Sequence, residues 1–114
     1  MTALASTLVP AANRAALDAS TECAQACEAC AQRCLGDDTM AECARQCLDC
    51  ATTCQATTTL LARGSAQAAR LCQLCAQVCD DCATECERYD MPECQECART
   101  CRACAEQCRE LAAA

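Results

Sequence analysis

A twelve-residue pattern, Cys-Ala-x-x-Cys-x-x-Cys-Ala-x-x-Cys, is written four times in this chain of 114 residues, at 23–34, 43–54, 75–86 and 97–108. Its cysteines step by four, three and four, the spacing of one helix face. A strand would need alternation and would scatter the same thiols over both sides. Each copy is therefore read as a helix with a thiol seam, and four such helices satisfy their seams by turning them toward one another.

The rest of the composition leaves little else for a core. There is no Phe or Trp and one Tyr, while 18 residues are Cys. Thiols can pack as small hydrophobes, although each buries little area. A cysteine fraction this high also suits a small secreted disulfide scaffold, but such scaffolds are loop-rich, and this chain has strict helical spacing and two glycines. The region 1–17 has no basic stretch ahead of its short apolar run at 4–9 and no twin arginine, so no export signal is read. The expected compartment is the reducing cytoplasm, where dense cysteine serves metal or redox chemistry. With 9 basic and 16 acidic residues the net charge is −7 and there is no basic patch, so nucleic acid is not an expected partner. No stretch reaches the roughly 18–20 apolar residues of a membrane span.

The punctuation between copies fits four helices. Helix one is expected from about Pro10 to Leu35, with Gly36 in the left-handed position beyond its end. Thr39 and Glu42 read as a capping box for helix two, and Asp90 and Glu93 as another for helix four, with Pro92 in its first turn. Gly64 is expected to end helix two and Ser65 to cap helix three. Short connections predict an all-α, antiparallel up-down-up-down four-helix bundle with cysteines lining the core. Residues 10–114 make the bundle, and residues 1–9 an N-terminal segment able to form a short capping helix.

Cys72 and Cys94 lie outside the four copies, and each extends a seam by one step. Ser20 and Met40 hold the matching places in helices one and two. Ala24, Ala31, Ala44, Ala51, Ala76, Ala83, Ala98 and Ala105 each follow a seam cysteine, small residues that let helices approach closely. Carried outward, the seams predict two unlike ends. One is a mouth with Asp37, Met40, Tyr89 and Met91. The other is an apolar plug with Ser20, Ala16, Thr57, Leu61, Ala68 and Leu111, aided by Leu4, Leu8 and Val9. Leu71, Leu74 and Val78 form a second apolar stripe on helix three, to be used for helix packing or, with Leu48, for a subunit contact.

Thiolates and thioethers are soft ligands that select Cu(I), Zn(II) or iron–sulfur clusters. Zinc and clusters gather about four thiolates on turning backbone, which a straight helix does not provide. Cu(I) accepts two or three thiolates, matching an i,i+4 pair with or without a sulfur from across the bundle. Eighteen buried thiolates are not tolerable without compensation, and one Cu(I) per displaced proton keeps the interior near neutral. The expected capacity is therefore on the order of one Cu(I) per cysteine. Catalysis is not expected: there is no His to act as a base, and the Cys-x-x-Cys pairs lack the βαβ setting of a redox site. A metallothionein-like zinc or cadmium buffer is the rival reading, but such proteins lack a helical repeat.

Over residues 23–108 the chain resembles the bacterial four-helix-bundle copper storage proteins, specifically their cytosolic branch. The resemblance implies a preformed bundle storing multiple Cu(I) ions along its core, tetrameric assembly, and metal access at the open end. By the family pattern the ligands are Cys23, Cys27, Cys30, Cys34, Cys43, Cys47, Cys50, Cys54, Cys72, Cys75, Cys79, Cys82, Cys86, Cys94, Cys97, Cys101, Cys104 and Cys108. Cytosolic members often carry histidines near the open end. This chain has none, and Met40 and Met91 stand in that place, as methionines do in exported members.

Overall fold

A computed structural model of the chain describes residues 8–114. Among the described residues there are four α-helices and no strand: α1 (Arg14–Cys34), α2 (Ala41–Arg63), α3 (Ala68–Cys86) and α4 (Pro92–Ala113). Short 3-10 turns lead into the first two, Ala11–Asn13 before α1 and Asp38–Met40 before α2. Leu4 of the expected plug lies outside the described residues, as does most of the 1–9 segment.

The helices form a ring in which each packs against its two neighbours, α1 and α2 as one close hairpin and α3 and α4 as the other. Every alanine of the repeat is buried, between 0% and 7% exposed. Without a side chain beyond Cβ, these positions let the seams of neighbouring helices meet with little between them. The helix ends carry the expected glycines. Gly36 sits at φ +87° and Gly64 at φ +65°, the left-handed region in which a Cβ is strained. Pro92 opens α4.

The caps differ from the sequence expectation. Asp37, not Thr39, starts the turn before α2, its carboxylate accepting from both the Thr39 N–H at 3.0 Å and the Thr39 hydroxyl at 2.6 Å. Glu42 is thereby released from a capping box, and instead accepts from Arg45 and Gln46 on its own helix. Ser65 caps a turn one step early, accepting from the Gln67 N–H at 3.1 Å, and α3 begins only at Ala68. At α4 the residue before the helix is Met91, with no side-chain cap. The start is held by Pro92 and by Gln95, whose side-chain amide donates to the Tyr89 carbonyl.

Outside, charged residues tie helices together. Arg102 of α4 reaches Asp80 of α3 at 3.0 Å and Glu87 just beyond it at 2.9 Å, and Arg109 also pairs with Asp80. Arg33 of α1 faces Glu93 of α4 at 3.5 Å. Exposed pairs of this kind contribute about 0–1 kcal/mol each, so the bundle is held mainly by its interior. Of the outward apolar stripe, Leu74 and Leu48 are exposed while Leu71 and Val78 are half-buried.

Candidate metal centre

All eighteen sulfurs face the bundle axis, none more than 1% exposed by residue, and all are free thiols. Starting from the end where the 35–40 and 87–91 connections lie, the seams match level by level. Cys34, Cys43, Cys86 and Cys94 form the first level, and Cys30, Cys47, Cys82 and Cys97 the second. Cys27, Cys50, Cys79 and Cys101 form the third, and Cys23, Cys54, Cys75 and Cys104 the fourth. On the fifth level two thiols, Cys72 and Cys108, remain, and the other two places belong to Ser20 and Thr57. At 1.5 Å per residue the seam from Cys34 to Ser20 runs roughly 21 Å.

This register was only partly contained in the repeat. The fourth copy begins at Cys97, but Cys97 lies beside Cys47, at 3.9 Å, and Cys27, at 3.7 Å. The partner of Cys43 across the first level is Cys94: both belong to one group of four sulfurs with Cys30 and Cys34. α4 is thus slid by one seam step relative to α2. That slide brings Met91 level with Met40.

Neighbouring levels are continuous. Sulfur–sulfur distances down the core include Cys43–Cys86 at 3.7 Å, Cys47–Cys82 at 3.8 Å, Cys50–Cys79 at 3.6 Å, Cys23–Cys101 at 3.6 Å and Cys54–Cys75 at 3.7 Å. Within one helix, i,i+4 pairs of sulfurs such as Cys75–Cys79 and Cys97–Cys101 lie at 3.8 and 4.0 Å. Several sets of four, such as Cys23, Cys27, Cys50 and Cys101, have every sulfur within 4.8 Å of the others, and they share members. Three sulfurs bonded to one ion at about 2.3 Å stand about 4.0 Å apart, and four in a tetrahedron about 3.8 Å. Distance alone therefore fits low-coordinate and tetrahedral ions alike.

Charge separates them. A divalent ion with four thiolates keeps a net charge of −2, and eighteen thiols would build about four such sites, leaving heavy negative charge in a core with no buried cation. A monovalent ion per thiolate leaves none. In the metal-free core the first-level thiols Cys43 and Cys94 hold their protons. Burial pushes the Cys43 and Cys94 thiols up, and the nearby Cys86 sulfur pushes both further. Hydrogen bonds offered by Cys30, Cys47 and Cys82 favour the ionised form of Cys86 itself.

The two ends depart from expectation in instructive ways. The first level is not open, because Cys34 is 1% exposed and Cys94 fully buried. Met40 lies over this end, buried, with Met91 and Tyr89 half-buried against the core. Asp37 is not an inward residue: it is exposed and spends its carboxylate on Thr39. The Tyr89 hydroxyl donates to Glu85 at 2.8 Å and also lies 3.5 Å from the Thr39 carbonyl, linking α3 to the 35–40 connection. That carboxylate pushes Tyr89 up to about 12. A groove of about 340 Å³ between α1 and α4 reaches the sulfur core from the side, lined by Ala26, Ala29, Cys30 and Cys97 among others.

At the far end Ala16, Leu61 and Ala68 are buried and Leu111 half-buried, as expected for a plug. Leu8 is exposed and Val9 half-buried, so neither deepens it. The seam period had placed Ser20 and Thr57 in this plug. Ser20 in fact touches sulfur, 3.7 Å from Cys104 and 3.9 Å from Cys108.

The chain matches the copper storage protein family over residues 10–113. Among solved structures it is similar to the apo form of copper storage protein 3 from Bacillus subtilis. The two are 36% identical with a TM-score of 0.82, over 87% of this chain and 97% of that one. A Cu(I)-bound copper storage protein is 35% identical with a TM-score of 0.85, over 89% and 98%. A cytosolic copper storage protein from Streptomyces lividans carrying five coppers is 37% identical with a TM-score of 0.85, over 90% and 93%. No curated protein matches the sequence. The metal-free and copper-bound relatives resemble this bundle about equally.

Proposed function

The chain belongs to the copper storage protein family, and we propose that it holds Cu(I) as a cargo of many ions along the whole sulfur tube, with all eighteen cysteines as ligands. The observation that carries this reading is the run of buried sulfurs, linked at 3.6–4.0 Å through the first four levels, with the remaining thiols equally buried at its far end. Each ion takes sulfurs from one helix and its neighbour, and each displaces about one proton, so the core stays near neutral as it fills. A zinc or cadmium buffer is disfavoured by the same charge argument and by the Cu(I)-bound relative.

Met40 and Met91 form the receiving end in this reading. Their thioethers are soft and uncharged, so they can pass Cu(I) inward without binding it as firmly as a thiolate. The protein works in the cytoplasm, as the Streptomyces relative does, and no helix among the described residues is long and apolar enough to cross a membrane. The role is storage rather than catalysis, the bundle of residues 10–114 is the functional unit, and four bundles assemble, with Leu48 and Leu74 as candidate contact residues.

Anaerobic titration of the reduced protein with Cu(I) against a chromogenic chelator tests the reading. Saturation near one equivalent per thiol is expected. Saturation at a few equivalents, or displacement of bound Cu(I) by Zn(II), overturns it.

A further inference from the structure

The fifth level of the tube is the one place where oxygen replaces sulfur on a seam. Ser20 and Thr57 are both fully buried, and both hydroxyls have already given their hydrogens to their own helices. The Ser20 hydroxyl donates to the Ala16 carbonyl at 2.8 Å, and the Thr57 hydroxyl to the Thr53 carbonyl at 2.8 Å. A hydroxyl satisfied four residues back can be buried without an unpaired donor. What Ser20 turns toward the axis is therefore its oxygen lone pairs, with the Cys104 and Cys108 thiols at 3.7 and 3.9 Å as the available donors.

We propose that Ser20 and Thr57 set the storage capacity by ending the ladder of metal sites, leaving the last Cu(I) on this side to Cys72 and Cys108 alone. The inference rests on the copper-storage reading. When Cu(I) binds a cysteine, the S–H bond breaks, a Cu–S bond forms and the proton leaves to solvent, while the copper stays Cu(I). An alcohol has no proton to release near neutral pH, and its oxygen is a hard donor that a soft ion does not choose. Filling this level beyond its two thiols would bury uncompensated positive charge. One step further the seam offers only Ala16, Leu61, Ala68 and Leu111, with no donor atom. Ser20 then has a second use: when Cys108 or Cys104 becomes a thiolate, the hydroxyl can rotate off the Ala16 carbonyl and donate to the sulfur. It is a positioning residue, not a ligand.

The proposal turns on oxygen against sulfur at the same places, so the test exchanges them. Anaerobic Cu(I) titration compares the parent with Ser20→Cys/Thr57→Cys, and separately with Ser20→Ala and Thr57→Val, each checked for parental helicity by circular dichroism. The double cysteine variant should gain about two equivalents, and the two hydroxyl deletions should leave capacity unchanged. No gain in the folded double variant overturns the proposal, and so does the loss of an equivalent on removing either hydroxyl, which would make the oxygen a ligand. If the double variant does not fold, Ser20→Cys alone decides the matter, with a gain of about one equivalent expected and no gain overturning the proposal. Failure of the storage reading would look different, as low capacity in the parent itself.

Discussion

At one end of the tube Ala16, Leu61 and Ala68 close the core with hydrocarbon. Asn13 ties the preceding turn to it by donating to the Leu61 carbonyl at 3.0 Å, and Pro10 stands where a Cβ on Gly64 would meet it at 3.1 Å. At the other end Met40 and Met91 cover the first thiols, and the closure is held by polar links near the surface, such as Tyr89 to Glu85 and Asp37 to Thr39. Both ends exclude water from sulfur. Only the second does so with soft atoms and with bonds that water can replace, so the contrast places hydrocarbon closure at the first end and supports the proposed metal entry at the second.

Alkaline pH should give the largest effect, and Cys43 and Cys94 at the methionine end contribute to it. Cys43 and Cys94 are raised in the fold above the ordinary value of 9.0. A raised acid stabilises the fold below its unfolded pKa, and that contribution is lost as pH climbs from there toward the folded value. Each such thiol steepens the loss by at most about 1.4 kcal/mol per pH unit. Urea midpoints of the metal-free protein should hold level to about pH 8 and fall steeply above 9. The copper-loaded protein should show no such fall, its thiols having already given up their protons. Equal sensitivity of both forms would remove charge from the account of this core.

Next in size is Leu61→Ala, at the hydrocarbon end. Truncating a fully buried Leu usually costs about 2–5 kcal/mol. Denaturation should show that loss while copper capacity stays at the parental value. A fall in capacity without a fall in stability would mean that the plug, not the sulfur ladder, defines the store.

The smallest thermodynamic effect belongs to Met40→Leu with Met91→Leu, a volume-conserving change expected to cost below about 1.5 kcal/mol for each site. Its signature is kinetic. Stopped-flow transfer of Cu(I) from a small thiol complex should slow several-fold with final capacity unchanged. An unaltered rate would move the way in to the groove between α1 and α4, which Cys30 and Cys97 help to line.

The pattern of four, three and four was enough to read the bundle, the inward thiols and the unlike ends, because a seam period constrains direction strongly. It could not fix how far each helix slides along its neighbour. Steps of three and four alternate along every seam, so moving α4 by one step keeps sulfur opposite sulfur. The choice of Cys94 rather than Cys97 beside Cys43 is legible instead in the matched openings Met40-Ala-Glu-Cys43 and Met91-Pro-Glu-Cys94 of the second and fourth helices. Caps were less legible for a related reason. Asp37, Thr39 and Glu42 compete for the same few N–H groups, and the short two-residue reach from Asp37 to Thr39 won. Ser20 looked like plug material because a hydroxyl on an apolar face says little until its neighbours, Cys104 and Cys108, are in place.

The glycine stops, the proline start and the alanine step hold this bundle together through backbone and hydrocarbon, and none of them needs a metal. Domains that fold around their ion spend binding energy on ordering the chain and collapse when it is removed. A bundle built this way is expected to lose no structure when metal is withdrawn. An emptied molecule is then the same object as a fresh one, ready for another charge, so a single protein can serve through many cycles of surplus and shortage.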